Sequence, residues 1–100
     1  MAFPAHANAT EKRIISAIIK RALAASFTVS VYDGEEWALK RSTDFEAITA
    51  EVHATDETTL RMRDETGNMV GSIYLVHGNE DDVICDHTDN ERTAALVKGL

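Results

Sequence analysis

The sequence predicts an α+β protein: a mostly antiparallel five-stranded sheet with helices packed on it, in the order α-β-β-α-β-β-β-α. Three observations predict this class. The spacing of apolar residues shifts between the helical three-and-four and the strand period of two. Tight-turn signals such as Asp33-Gly34 separate neighbouring strand segments. Boxes with a capping residue followed three positions later by Glu stand before the helical stretches. Short connections between successive strands force antiparallel pairing within each hairpin. A chain of 100 residues, 44% of them hydrophobic, fits a single domain over 1–100, with residues 1 to 8 expected as a flexible lead.

Taken in order, Ile14, Ile15, Ile18, Ile19, Ala22 and Leu23 form one apolar stripe with Lys and Arg between them, which predicts an amphipathic helix over about residues 9–25. Asn8-x-x-Glu11 is its expected capping box. Phe27, Val29 and Val31 then alternate with Thr28, Ser30 and Tyr32 in a half-buried strand, and the turn at Asp33-Gly34 leads to a second strand through Trp37, Leu39, Lys40 and Arg41. Thr43-Asp44-Phe45-Glu46 opens a short helix over about residues 43–54. Leu60 and Met62 alternate with Arg61 and Arg63 in a third strand, and the fourth and fifth cover about residues 69–77 and 83–87. Thr88-Asp89-Asn90-Glu91 is read as the box that opens the last helix. With a four-residue loop between the last two strands, Ile73, Leu75 and Ile84 share one face while Tyr74, Val76, Val83 and Cys85 share the other. Such a two-sided apolar hairpin needs a cover, either a helix or a second chain.

The net charge of −7 is unevenly laid out. Lys12, Arg13, Lys20 and Arg21 face only Glu11 in the first 21 residues, whereas Asp64, Glu65, Glu80, Asp81, Asp82, Asp86, Asp89 and Glu91 fall in a stretch with no Lys or Arg. A field of one sign steers basic partners inward and opposes phosphates and anionic lipid. No stretch approaches the roughly 20 apolar residues of a membrane span. Cys85 is the only cysteine, so no intramolecular disulfide forms, which suits a reducing cytoplasm.

The residues offer little catalytic chemistry. Cys85 and His87, two apart on a predicted strand, with His77 near the other end of the hairpin, invite a thiolate–imidazole or zinc reading. An activating third group and a fourth ligand at typical spacing are both missing. The Asp86 to Glu91 run lacks the central Gly and twelfth-position acid of a calcium loop, and helix capping accounts for Asp89 and Glu91. His6 and His53 are single and receive no role. No catalytic residue, metal ligand or cofactor is therefore assigned. A basic nucleic-acid platform would use Lys40, Arg61 and Arg63 with Tyr32 and Tyr74 on the outer sheet face. The net charge weighs against it, because phosphate contacts supply most of the affinity.

From Val31-Tyr32-Asp33-Gly34 through Val70-Gly71, Val76-His77-Gly78-Asn79 and Asp82-Val83-Ile84 to Thr88-Asp89-Asn90-Glu91, the chain resembles small accessory proteins of phages and mobile elements that inhibit bacterial defence, anti-CRISPR proteins among them. The resemblance implies a non-enzymatic, stoichiometric inhibitor in the bacterial cytoplasm, docked on a basic protein or ribonucleoprotein surface such as a CRISPR effector complex, with no nucleic acid bound directly. Independently of the resemblance, the one-sign stretch makes its eight acids from Asp64 to Glu91 the expected partner-binding residues, an edge that imitates a row of phosphates. The alternative is a homodimer that pairs through the hairpin of the last two strands.

Overall fold

The computed structural model describes residues 9–77 and 83–100. In chain order its elements are α1 (Ala9–Ala24), β1 (Thr28–Tyr32), β2 (Trp37–Ser42), α2 (Phe45–Val52), β3 (Glu57–Arg63), β4 (Met69–Val76), β5 (Ile84–His87) and α3 (Glu91–Val97). The predicted α-β-β-α-β-β-β-α order and α+β class are therefore observed. The strands form one sheet in the order β2-β1-β3-β4-β5, antiparallel at every junction. Because β2 and β3 both pair antiparallel to β1, they run parallel to one another, and α2 is the crossover between them.

One face of the sheet carries the core. Val29 and Val31 of β1, Leu60 and Met62 of β3, and Ile73 and Leu75 of β4 are fully buried, while their strand neighbours alternate outward. The helices cover this face, with Ile14, Ile15, Ile18 and Ile19 of α1, Ile48 and Val52 of α2, and Leu96 of α3 completing the cluster. The guanidinium of Arg21 fastens α3 from α1 by donating to the carbonyls of Lys98 at 2.8 Å and Leu96 at 3.3 Å, acceptors that the helix end leaves open. Among the described residues, no helix lies over the opposite face, formed by Thr28, Ser30, Tyr32, Thr59, Arg61, Arg63, Ser72 and Tyr74.

The two described caps differ from those expected. Asp44, not Thr43, caps α2 by accepting from the backbone N–H groups of Glu46 and Ala47. Asn90, not Thr88, caps α3 through Thr93 N–H at 2.8 Å. Thr88 is already engaged, since its Oγ1 accepts from Ser72 N–H at 2.9 Å and prolongs the sheet. Asn8 lies outside the described residues, and Glu11 is buried against His77, its Oε1 3.6 Å from Nδ1, with both side chains fully enclosed.

The hairpin of β4 and β5 also departs from the expected register. Leu75 pairs with Ile84 but Tyr74 pairs with Asp86, so Cys85 is an extra residue in a β-bulge on the edge strand. The bulge breaks the simple alternation. Val83 is fully buried in the core cluster, and Cys85 is exposed. The second apolar face is not formed as expected; among the described residues, Met69 is the one large hydrophobic side chain that is exposed.

Candidate functional site

The uncovered face is organised in rows that the strand register places side by side. Trp37, Tyr32, Thr59, Tyr74 and Asp86 lie opposite one another across β2, β1, β3, β4 and β5. The next row contains Ser30, Arg61 and Ser72, followed by Thr28 and Arg63. Rows two residues apart on a strand are separated by about 6.6 Å. An aromatic row thus borders a cationic one.

At the β2 edge, this border closes into a cleft of about 200 Å³ lined by Ser30, Trp37, Lys40, Arg41, Arg61 and Arg63. Its volume falls below the ~300 Å³ at which drug-sized pockets begin, and suits a phosphate-sized group better than a whole cofactor. A second bulge builds it. Val31 pairs with Leu39 and Val29 with Ser42, so the single residue Ser30 stands opposite both Lys40 and Arg41. Strict alternation would send Lys40 and Arg41 to opposite faces, but the bulge presents both beside the cleft. Arg41 has φ of 48°, a left-handed conformation that L side chains adopt at a cost, and Ser30 Oγ holds it by accepting Arg41 N–H at 2.9 Å.

The Arg61 guanidinium lies over the Trp37 indole, 4.6 Å from the ring centroid, and Tyr32 packs beside that ring at 5.1 Å. Arg61 Nε is shielded from solvent and makes no hydrogen bond. Arg63 donates to the Gly67 carbonyl at 3.0 Å. Among the described residues, none of Lys40, Arg41, Arg61 and Arg63 is in an ion pair, in a chain of net charge −7. The far half of the same face is acidic. Glu57 accepts from the Tyr74 hydroxyl, a bond that raises the phenol above its usual range, and Asp86 stands exposed on β5.

The acids singled out in the sequence are distributed as follows. Asp64 and Glu65 lie in the turn between β3 and β4, and Asp89 and Glu91 flank the start of α3 near the same end of the sheet. The proximity is fixed by the Asp64–Arg92 ion pair at 3.3 Å and by Asn90 donating to Val70 O at 2.8 Å. Asp86 belongs to the edge strand, and its Oδ1 accepts from His87 N–H. Glu80, Asp81 and Asp82 lie outside the described residues. Asp64 is therefore the acid most occupied by internal bonds, and Arg92, one residue beyond the one-sign stretch, offsets it.

Asp64 makes a pH prediction. The Thr66 hydroxyl, then the Asn68 and Thr66 backbone N–H groups and Arg92, hold its carboxyl down to about 2. A folded-state value below the unfolded one, about 3.9, adds stability that is full above pH ~4 and disappears as pH falls through ~2. Thermal midpoints of the native protein should decline over this window, and an Asp64→Asn variant should decline less steeply there.

The grouping of Cys85, His87 and His77 is not assembled. His77 is buried between Glu11 and the Val52 carbonyl, which Nε2 approaches at 3.2 Å. His87 Nδ1 faces the Thr88 carbonyl at 3.0 Å. No group of three His, Cys, Asp or Glu suited to a metal occurs among the described residues. Sequence spacing gives His53 no role and makes Glu11 part of a cap. Both are buried, and the His53 ring lies 5.2 Å from that of His77.

Comparison with known proteins returns no match to a family model, a curated protein or a solved structure. The functional reading therefore rests on the geometry. Among the described residues, no helix is long and apolar enough to cross a membrane.

Proposed function

We propose that the protein is a non-enzymatic binding module whose recognition surface is the uncovered sheet face, and that this face takes an anionic macromolecule at its β2 edge. One observation carries the reading: four cations with no ion pair among the described residues gather around Trp37 on a face that no described helix covers. Isolated surface cations are commonplace, but a bulge and a left-handed Arg41 are required to hold these together. Retention on immobilised heparin at low salt, despite the net charge of −7, is the expected result. The double variant Lys40→Ala with Arg61→Gln should elute at clearly lower salt.

A second reading is favoured by a different observation. Glu65, Asp89 and Glu91 are exposed around one end of the sheet, with Arg92 beside them. This acidic end suits docking on a basic protein surface, as for the anti-defence inhibitors that the sequence resembles, with the cationic cleft left idle. Passage through heparin without delay, combined with capture on immobilised polylysine that Glu65→Lys and Glu91→Lys abolish, would overturn the first reading in favour of this one.

A further inference from the structure

We infer that the anionic partner is single-stranded nucleic acid, with a phosphate seated in the cleft of Ser30, Lys40, Arg41, Arg61 and Arg63 and the adjoining base stacked at Trp37. This inference rests on the proposed use of the open face and adds the chemistry of the ligand. A polyanion such as a sulfated sugar needs only the cations. The structure places a flat π surface directly against them: Arg61 lies on one side of the indole at 4.6 Å, and Tyr32 flanks it at 5.1 Å. An incoming base extends this stack, either on the indole or on the guanidinium plane, and both are surfaces on which unpaired bases settle. The aromatic row and the cationic row are about 6.6 Å apart, which is close to the reach from a base to its own phosphate.

The register continues the platform. Tyr74 sits in the same row as Tyr32, two strands away across Thr59, which places it about 10 Å further along. It offers a stacking surface for a following base. Glu57 and Asp86 surround this second position and repel the backbone, so the phosphates are confined to the Arg61 side while bases cross the aromatic row. A duplex keeps the faces of its bases stacked within itself and offers only their edges and the phosphates, which leaves Trp37 and Tyr74 without a stacking partner. The face therefore selects strands whose bases are free.

Trp37 is the only tryptophan, so its fluorescence reports directly on the site. The native protein is titrated at low salt with an oligodeoxythymidine of about ten nucleotides, within the range that small sheet platforms bind. The comparison arms are a base-free phosphodiester strand of equal length, a duplex of equal length, and heparin. The expected result is saturable quenching by the oligonucleotide, with the base-free strand and the duplex each bound at least about fivefold more weakly. With a labelled oligonucleotide followed by anisotropy, Trp37→Ala should lose about fivefold or more while Trp37→Phe retains most of the affinity. Lys40→Ala and Arg61→Gln should each reduce the slope of log affinity against log salt by about 0.7.

If heparin binds in the cleft but the oligonucleotide is bound no better than the base-free strand, the nucleic-acid inference falls and the anion-binding face stands. Equal affinity for duplex and single strand also overturns the inference. If neither heparin nor any strand binds, both fall.

Discussion

Gly71→Ala is expected to destabilise the protein by about 2–3 kcal/mol, lowering the thermal midpoint by about 10–20 °C. Gly71 lies in β4 opposite Met62, at the point where α3 lies against the sheet. A methyl group there would stand 2.1 Å from Thr93 Oγ1 and 3.0 Å from Thr88 Cβ. Thr93 is fully buried, and its hydroxyl donates to the Val70 carbonyl at 3.3 Å, so rotating it aside breaks a bond in a dry site. The alternative is to lift α3, which loosens Leu96 from the core and strains the Arg21 clamp. The double variant Gly71→Ala with Thr93→Ala should be more stable than the sum of the single effects, because the nearest colliding atom is gone. Simple additivity in urea unfolding would show that Thr93 is not the obstacle.

Arg41→Gly is expected to act in the opposite direction on stability, raising it by about 1 kcal/mol and the thermal midpoint by about 4–8 °C. The left-handed φ of 48° costs a side chain that glycine does not carry, less the extra freedom that glycine gives to the unfolded chain. Ser26, with φ of 65° just beyond α1, provides the control. Ser26→Gly should stabilise to a similar degree, since this position needs only the backbone turn that closes the helix. The two should separate in binding. Ser26→Gly leaves heparin elution unchanged, whereas Arg41→Gly shifts it to lower salt, because one strained residue serves the cleft and the other serves only the chain path. Equal heparin behaviour in both variants would remove Arg41 from the site.

The strand and helix order was legible because each element shows a clean period: Ile14 to Leu23 at helical spacing, Val29 to Tyr32 and Leu60 to Arg63 at two. What escaped were features decided by competition in three dimensions. Thr88 had the right spacing for a cap, but its hydroxyl is taken by Ser72, so the cap passes to Asn90. Glu11 looked like the distal half of a capping box, yet it turns inward to His77, a residue far along the chain. These bulges, and a further register shift between Val31 and Tyr32 that sets Trp37 opposite Tyr32, are invisible to a period-two reading, which places one residue opposite one. For this reason the sequence located Lys40, Arg61, Arg63, Tyr32 and Tyr74 on the outer face but omitted Arg41 and Trp37. The adjacent Lys40-Arg41 pair after Leu39, where alternation calls for an inward apolar residue, was the available signal. The acidic stretch was legible as composition alone. It could not reveal that Arg92 returns to Asp64.

Two of the bulges, at Lys40-Arg41 and at Cys85, have a meaning for the company the molecule keeps. Each lies on an outermost strand, with Lys40 and Arg41 at one margin of the sheet and Cys85 beside Asp86 at the other. An outermost strand exposes unused N–H and C=O groups, and a straight one invites a foreign strand to zip alongside. Here an intruder meets a kink at either margin. A bent edge is a poor template for a foreign strand, so the kink that brings Lys40 and Arg41 to one face also works against fibrous growth.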